Sequence, residues 1–415
     1  MKSPNENRPG YRKTKVGWIP EDWECLPFTS LFDRVSVPVD VDPKGTYREI
    51  GIRSHCKGVF FKEKTTGKAL GNKRVFWCQP GALTFNIVFA WEQAIAILGP
   101  ETEGLIASHR FPMYKAKNGR GSEAFYLWFF RSLRGKHGLG LASPGGAGRN
   151  KTLGQGELDY LFVPSPTLPE QEHIAELLCA WDRKIEQLDR LIATKESRKR
   201  GLMQQLLTGN RRFPGFRPSE RKNGEAKRAK NDFPSDWKVY PLKRVCSISY
   251  GKEWSKVAVE SGSYSVYGTG GVIGKSSSPL DKGPAILIGR KGTIDSPILI
   301  REPFWAVDTT FYAKAGEKAD TVFLYYSLSN VCWKRYSETS GIPSLSRSTI
   351  NNLRFGFPTL HEQRRIAAVL NACDAELEQL RAQLAALKQQ KKGLMQKLLT
   401  GEVRIPAKER AKNVS

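Results

Sequence analysis

The chain has 415 residues, 40% hydrophobic and 26% charged, a composition typical of a soluble globular protein with two or three domains. Its 66 Lys and Arg against 41 Asp and Glu give a formal net charge of +25. This charge indicates a polyanionic partner such as nucleic acid, although a ribosomal or membrane-surface protein would also be basic. There is no run of 18 apolar residues and no apolar leader, which argues against a membrane span and a secretory signal.

Cysteine usage points to a reducing compartment. The seven cysteines are scattered, odd in number and without a Cys-x-x-Cys pair. This spacing argues against a disulfide framework and against a zinc site, so we expect a cytoplasmic protein that binds no metal.

The first block, residues 1–166, is interpreted as a mixed α/β domain. Its segment IPEDWECLP around Trp23 is echoed later in the chain by FPSDWKVYP around Trp237. Near the end of the block, the apolar segment Ser122–Leu133 begins with a capping residue, which predicts a buried helix.

Residues 167–209 predict one long helix. Pro169 stands just before Glu170 and Gln171, as at many helix starts, and Gly209 marks the end. Apolar residues recur at alternating spacings of four and three, the heptad seam by which one helix packs on another. At ~1.5 Å per residue, the stretch from Glu170 to Leu207 is roughly 57 Å long. The predicted seam is Ile174, Leu178, Trp181, Ile185, Leu188 and Ile192.

Residues 210–235 follow as a basic stretch that contains Pro and Gly and has no apolar period. This composition predicts a solvated linker, and a contact between the linker and a DNA backbone stays open.

The second block, residues 236–358, is also interpreted as mixed α/β. Gly283–Arg290 and Ser296–Ile300 are predicted strands, and Thr321–Asn330 is a predicted buried helix. The segment YGTGGVIGKSS ends in Gly-Lys-Ser like a phosphate-binding loop, but Thr269 stands where that motif requires its first glycine. The sequence therefore favours a flexible glycine loop that carries Lys275 close to a DNA backbone over an ATP site.

The long helix is repeated at residues 359–401, before a basic tail at 402–415. The 40 residues from Glu362 match the 40 from Glu170 at 20 positions without a gap, and both end in Gly-Leu-Met-Gln-x-Leu-Leu-Thr-Gly. Such self-similarity is the signature of a duplicated unit. The second seam is Ile366, Leu370, Cys373, Leu377, Leu380, Leu384 and Leu387.

Two duplicated helices with matching seams most simply pack on each other, antiparallel about a pseudo-twofold axis. The predicted fold class is α+β, with two mixed α/β domains joined by two long antiparallel coiled-coil helices. Such a pair of helices would hold the two domains a fixed distance apart.

This arrangement closely resembles the specificity subunit of type I restriction–modification systems, over essentially the whole chain. The resemblance is carried by the two divergent blocks, each followed by a nearly identical helix. Its residues are Pro166, Glu170, Gln171, Ile174, Ala175, Asp182 and Gly201–Gly209, with their counterparts Pro358, Glu362, Gln363, Ile366, Ala367, Asp374 and Gly393–Gly401.

The resemblance implies that each block is a target recognition domain that reads one half of a bipartite, asymmetric DNA site. It implies that the helices set the half-site spacing and that two modification subunits, which bind S-adenosylmethionine, dock on this chain. Restriction subunits with ATP and Mg would complete the complex, while this chain would bind no cofactor and do no chemistry. Consistently, the sequence has no methylation motif, no Walker A motif and no nuclease triad.

Two other classes stay open. The chain could be a DNA methyltransferase or nuclease with an unrecognised catalytic site, or an RNA-binding protein favoured only by its charge. Neither explains why the helices repeat while the blocks diverge.

Candidate DNA contacts are polar and basic residues in or beside glycine-containing loops, because Arg and Lys recognise guanine, Asn and Gln recognise adenine, and other cations hold phosphates. For each single residue, an ordinary surface charge remains the alternative. In block one they are Arg53, His55, Lys57, Asn86, Gln93, His109, Arg110, Arg149, Asn150 and Lys151. In block two they are Lys275, Arg290, Lys291 and Arg347.

Overall fold

A computed structural model describes residues 5–117, 119–145, 151–216, 233–339 and 341–405. The chain divides into two compact units, one made of Met1–Gln187 with Leu384–Ser415 and the other of Leu188–Gln383. Each long helix therefore contributes one part to each unit.

The first unit contains two four-stranded sheets and two strand pairs. The strands are β1 Tyr11–Thr14, β2 Gly17–Pro20, β3 Glu24–Pro27, β4 Phe32–Val35, β5 Thr46–Ile52, β6 Val59–Thr66, β7 Val75–Trp77, β8 Leu83–Phe85, β9 Ile95–Ile97, β10 Ile106–Ser108, β11 Met113–Ala116 and β12 Phe162–Ser165. The sheets have the orders β6-β5-β10-β7 and β4-β11-β8-β9, and β1 pairs with β2 and β3 with β12. Only the β5–β10 contact is parallel among these described strands.

Helices cover the aromatic core of this unit. They are α1 Phe28–Leu31, α2 Gly67–Leu70, α3 Glu123–Arg131, α4 Leu133–Leu141 and the long α5 Leu168–Leu207. The predicted helix at Ser122–Leu133 is confirmed as α3, and the Ser122 side chain accepts a hydrogen bond from the Phe125 amide at its start. Phe130 of α3 packs edge-on against Phe28 and Phe85, so the helix closes the core over the sheet β4-β11-β8-β9.

The second unit contains two more four-stranded sheets and one strand pair. Its strands are β13 Lys238–Pro241, β14 Cys246–Tyr250, β15 Ala258–Val259, β16 Tyr264–Gly268, β17 Gly271–Ser276, β18 Ala285–Gly289, β19 Ile298–Ile300, β20 Phe304–Ala306, β21 Thr310–Ala315 and β22 Arg354–Phe357. Its helices are α6 Thr321–Ser329, α7 Arg347–Asn352 and the long α8 Leu360–Leu399. The sheet orders are β14-β21-β18-β19 and β15-β17-β16-β20, and β13 pairs with β22.

The two units share most of their strand topology although their block sequences diverge. The antiparallel sheet β14-β21-β18-β19 repeats β4-β11-β8-β9 strand for strand. The hairpin β16–β17, with β20 parallel to β16, repeats the hairpin β5–β6 with β10 parallel to β5. The strand pair β13–β22 repeats β3–β12. The duplication therefore includes the blocks as well as the helices.

The long helices pack on each other within each unit as predicted. Each has 40 residues, and the seam residues are buried or half-buried. In the first unit, Lys391 of α8 forms an ion pair with Asp182 of α5, so a late residue of one helix faces an early residue of the other. In the second unit, Lys199 pairs with Asp374 in the same way. The helix halves within each unit are thus antiparallel, as predicted.

A glycine ends each long helix for two physical reasons. Gly209 and Gly401 have φ of 71° and 69°, a left-handed conformation that costs little only for glycine. A Cβ at Gly209 would lie 2.4 Å from Cγ of Pro234, and one at Gly401 would lie 2.3 Å from Cγ of Pro20. Each glycine therefore lets the start of a block pack against the end of a helix.

An arginine just beyond each helix end binds two acids. Arg404 donates to Glu170 and Asp22 at 2.7–3.0 Å, and the Trp23 indole donates to Glu170 at 3.1 Å. These hydrogen bonds raise the pKa of Arg404, and the bond from Arg404 lowers the pKa of Asp22.

The second unit repeats this arrangement. Arg212 donates to Glu362 and Asp236 at 2.7–2.8 Å. Burial opposes the charge of Arg212, but the hydrogen bonds to the two acids outweigh it and raise its pKa. In both units, the duplicated Glu of the helix start is therefore neutralised by the Arg that follows the other long helix.

The duplicated Gln next to each Glu attaches the block to the helix. Gln171 is fully buried, accepts a hydrogen bond from the Ser122 amide and donates to the Pro166 carbonyl. Gln363 likewise accepts from the Asp320 amide and donates to the Pro358 carbonyl. Ser122 and Asp320 are the capping residues of α3 and α6, so one side chain joins the two helices.

Candidate nucleic-acid interface

In the second unit, three predicted residues meet at one edge of the sheet β14-β21-β18-β19. This edge holds the ends of β14 and β18 and the start of β21, because Tyr250 pairs with Phe311 and Gly289 with Thr310. Arg290 and Lys291 directly follow β18, and the Lys291 backbone forms an isolated antiparallel β-bridge with Ser344. The Leu345 amide donates to the Arg290 carbonyl, which brings the loop before α7 to the same edge.

The charged groups at this edge surround an aromatic ring. The guanidinium carbons of Arg290 and Arg347 lie 5.5 and 5.9 Å from the ring centre of Tyr250, which is 46% exposed. Arg290 also donates to the Asp308 carbonyl at 3.2 Å, which fixes its side chain. Two cations on an exposed ring present guanidinium donors to a ligand, the groups that bind phosphates and guanine edges.

Lys275 lies apart from these residues, on β17. Its ammonium group donates to the Ser265 hydroxyl at 3.2 Å on the neighbouring strand. The segment around it is a β-hairpin and not the flexible glycine loop that the sequence suggested, since β16 and β17 pair from Tyr264 to Ser276. The hairpin turn still approaches the edge, because a Cβ at Gly292 would lie 3.8 Å from the Thr269 hydroxyl oxygen.

In the first unit, backbone hydrogen bonds bring four separate loops together. The His55 and Cys56 amides donate to the Glu92 and Gln93 carbonyls, both at 2.8 Å. The Ile87 amide donates to the Arg110 carbonyl at 3.0 Å, and the Leu153 amide to the Ile87 carbonyl at 2.8 Å. We call the residues 53–58, 86–94, 109–111 and 151–153 the loop cluster of unit 1.

The loop cluster contains most of the residues predicted for block one. Arg53, His55, Lys57, His109 and Arg110 are exposed there. The Lys151 ammonium group lies 5.7 Å from the centre of the Trp91 ring. Arg149 and Asn150 lie outside the described residues.

Two predicted amides in the cluster have bonds within the domain. The Gln93 amide nitrogen donates to the Phe130 carbonyl at 2.7 Å, and Gln93 has a φ of 59°. The Asn86 side-chain oxygen accepts from the Val88 amide at 3.2 Å. The Gln93 bond holds the loop against α3, and the Asn86 bond fixes the local turn, so both residues have a role in shaping the surface.

The edge in the second unit and the cluster in the first unit occupy corresponding places. Asn86 directly follows β8 and Arg290 directly follows its counterpart β18. The turn 53–58 joins β5 to β6, and Gly268–Gly271 is the turn of the corresponding hairpin β16–β17.

Sequence reasoning missed Tyr250, which forms the aromatic part of the second edge. It stands at the end of a strand and directly before Gly251, a signal that marks a loop start. This signal becomes informative only once Arg290 and Arg347 are known to converge on the ring.

The described part of the chain contains no group of three or more His, Cys, Asp or Glu residues that could hold a metal ion. Among its helices, none is long and apolar enough to cross a membrane.

Comparison with known proteins shows which family the chain resembles. The family model described as type I restriction modification DNA specificity domain matches residues 234–389. Residues 234–389 therefore match this specificity domain, and the chain as a whole resembles the specificity subunits of type I restriction–modification systems. Specificity subunits are the DNA-recognition components of these systems, which places DNA and other subunits of a restriction–modification complex among the partners.

Similar proteins span nearly the whole chain. The putative type I restriction enzyme MjaX specificity subunit of Methanocaldococcus jannaschii is 23% identical, over 95% of this chain and 97% of its own. The MjaVIII specificity subunit of the same organism is 24% identical, over 93% and 94%.

Solved structures share the fold. The type I S subunit from M. genitalium has a TM-score of 0.60 at 15% identity, over 96% of this chain and 99% of its own. The HsdS subunit from Thermoanaerobacter tengcongensis has a TM-score of 0.53 at 19% identity, over 93% and 98%.

Proposed function

We propose that each unit of this specificity subunit reads one half of a bipartite, asymmetric DNA site. The observation that carries the proposal is that corresponding edges of two divergent blocks both collect basic side chains. In unit 2 these are Arg290, Lys291 and Arg347, and in unit 1 they belong to the loop cluster. Different side chains on one scaffold would read different bases, so the two half-sites would differ.

The long helices would set the half-site spacing and dock two methyltransferase subunits. Several exposed residues are identical in the two helices. Contact with solvent alone would not require the same residue at both positions. They are Ala180, Gln187 and Gln204 with their counterparts Ala372, Gln379 and Gln396. A surface that occurs twice favours a partner that binds twice. S-adenosylmethionine, ATP and Mg would bind to the partner subunits, and restriction subunits would complete the complex.

The test removes the two cations around Tyr250. The Arg290→Ala/Arg347→Ala variant, assembled with modification subunits, should bind its site at least tenfold more weakly, since each good base contact contributes ~1–3 kcal/mol. The salt dependence of binding should also fall if either arginine contacts a phosphate. Arg354→Ala is the matched control, because Arg354 is exposed on β22 in a separate strand pair.

Methyl transfer from labelled S-adenosylmethionine provides the second measurement. We expect transfer by the assembled complex and none by the purified chain alone. Unchanged affinity and site preference in the double variant would show that this edge does not read DNA, and label transferred by the chain alone would show a catalytic site within it.

A further inference from the structure

The corresponding hairpin turns of the two units have opposite chemistry. The turn between β5 and β6 exposes Arg53, His55 and Lys57. The turn between β16 and β17 is Gly-Thr-Gly-Gly and carries no charge. It leads directly into Val272 and Ile273, which are 56% and 53% exposed. One place in the duplicated fold is therefore polar in unit 1 and apolar in unit 2.

A β-bulge places these two apolar side chains. Val266 pairs with Gly274 and Tyr267 with Val272, which leaves Ile273 as the extra residue of β17. Bulges redirect side chains and recur beside functional sites. A Cβ at Gly274 would lie 2.7 Å from the Trp254 ring, so the Trp254 ring lies against the hairpin at Gly274.

The hairpin turn directly before the apolar pair approaches the basic edge of unit 2. The hairpin turn approaches Gly292, the residue after Lys291, through Thr269. A ligand that lies along Arg290 and Lys291 would therefore meet the hairpin as well. Single exposed apolar residues are ordinary, but two adjacent ones at the rim of a cationic surface indicate a contact with an apolar group of the same ligand.

We propose that Val272 and Ile273 contact the methyl group of a thymine in the half-site that unit 2 reads. The thymine C5-methyl is the apolar group that DNA presents in the major groove, and small apolar side chains recognise it. The cations of the corresponding turn in unit 1 suit the acceptor atoms of guanine instead. The inference rests on the proposed DNA-reading function and adds the residues and the base group that the hairpin selects.

The test uses deoxyuridine, which lacks only this methyl group. The site is first obtained by mapping methylated adenines in cells with and without the gene. Each thymine of the half-site read by unit 2 is then replaced singly by deoxyuridine, and Kd is measured for the full chain assembled with modification subunits. At one position the wild type should lose about fourfold in affinity, the factor that one buried methyl group contributes.

Combining the variant Val272→Ala/Ile273→Ala with the deoxyuridine duplex gives a double-mutant cycle. The variant should bind the thymine duplex about fourfold or more weakly and lose nothing further with deoxyuridine at that position. Val259→Ala is the matched control, because Val259 is 40% exposed on β15 of the same sheet and pairs with Lys275, outside the turn and the apolar pair. It should keep the wild-type response to deoxyuridine.

Two results would overturn the inference: a wild type indifferent to deoxyuridine at every position, or a hairpin variant that keeps the full wild-type response. If Arg290→Ala/Arg347→Ala then still weakens binding, only the hairpin assignment fails. If that variant also binds like the wild type, the proposed function of this edge fails with it.

Discussion

At the scale of single residues, the duplicated Glu of each helix start depends on one arginine. The Glu362 side chain is 1% exposed, and the Arg212 side chain that neutralises it is 9% exposed. The Glu170 side chain is 5% exposed, but its partner Arg404 is 39% exposed and the Trp23 indole also donates to it. The stability of the buried Glu362 carboxylate therefore depends more on its arginine than that of Glu170 does.

Arg212→Ala should destabilise the protein by about 3–5 kcal/mol, because it leaves a buried carboxylate without a counter-charge. Arg404→Ala should cost less, about 1–3 kcal/mol. Glu170 keeps the hydrogen bond from Trp23, and water can occupy the space left by the partly exposed Arg404 side chain. Urea unfolding followed by circular dichroism measures both. Adding Glu362→Gln to Arg212→Ala should recover part of the loss, and equal losses for the two single variants would contradict this account.

At the scale of elements, the buried glutamines connect each block to its helix. Gln363 reaches the capping residue of α6 and also donates to the Lys318 and Pro358 carbonyls. The repeated helix thus uses a repeated side chain to hold a block whose sequence has diverged. The Glu-Gln pair is thus retained in both copies for a structural reason, independent of DNA.

Gln363→Ala should lower the free energy of unfolding by about 2–3 kcal/mol, because it leaves buried backbone groups without partners. The exposed Gln379 lies on the same helix, and Gln379→Ala should change stability by less than about 0.5 kcal/mol. Thermal unfolding compares the two. A Gln363→Ala variant as stable as the Gln379→Ala control would mean that the block is held by apolar contacts alone.

At the scale of the whole molecule, the proposed spacing function can be tested by lengthening both helices. Inserting four residues after Gln187 and four after Gln383 places both insertions at the border between the units. The ion pairs Lys391–Asp182 and Lys199–Asp374 lie within single units, so each should persist. Four residues add ~6 Å of helix, the length of about two base pairs.

The paired insertion should lengthen the preferred spacer by about two base pairs and leave both half-site sequences unchanged. Mapping of methylated adenines measures the spacer directly. A single insertion is the control, since it shifts one helix against the other and should lower stability. An unchanged spacer in a folded, methylating variant with both insertions would show that the helices do not set the spacing.

The sequence by itself determined the duplication, the two long helices and their antiparallel seam. Apolar residues at alternating spacings of four and three, a helix-ending glycine and a repeated segment are local signals, so they can be identified without knowledge of the fold. It also indicated the loops that carry basic residues, because glycine and polar side chains mark loops locally.

Tertiary structure alone decided which of those loops meet. Arg110 reaches Ile87, and Arg347 and Arg290 reach Tyr250, only because strands distant in the chain pair with each other. It also revealed that the divergent blocks share most of their strand topology, since strand pairing is made by backbone groups that many sequences supply equally well. The apolar Val272–Ile273 pair could be compared with the polar turn at Arg53 only after that pairing was known.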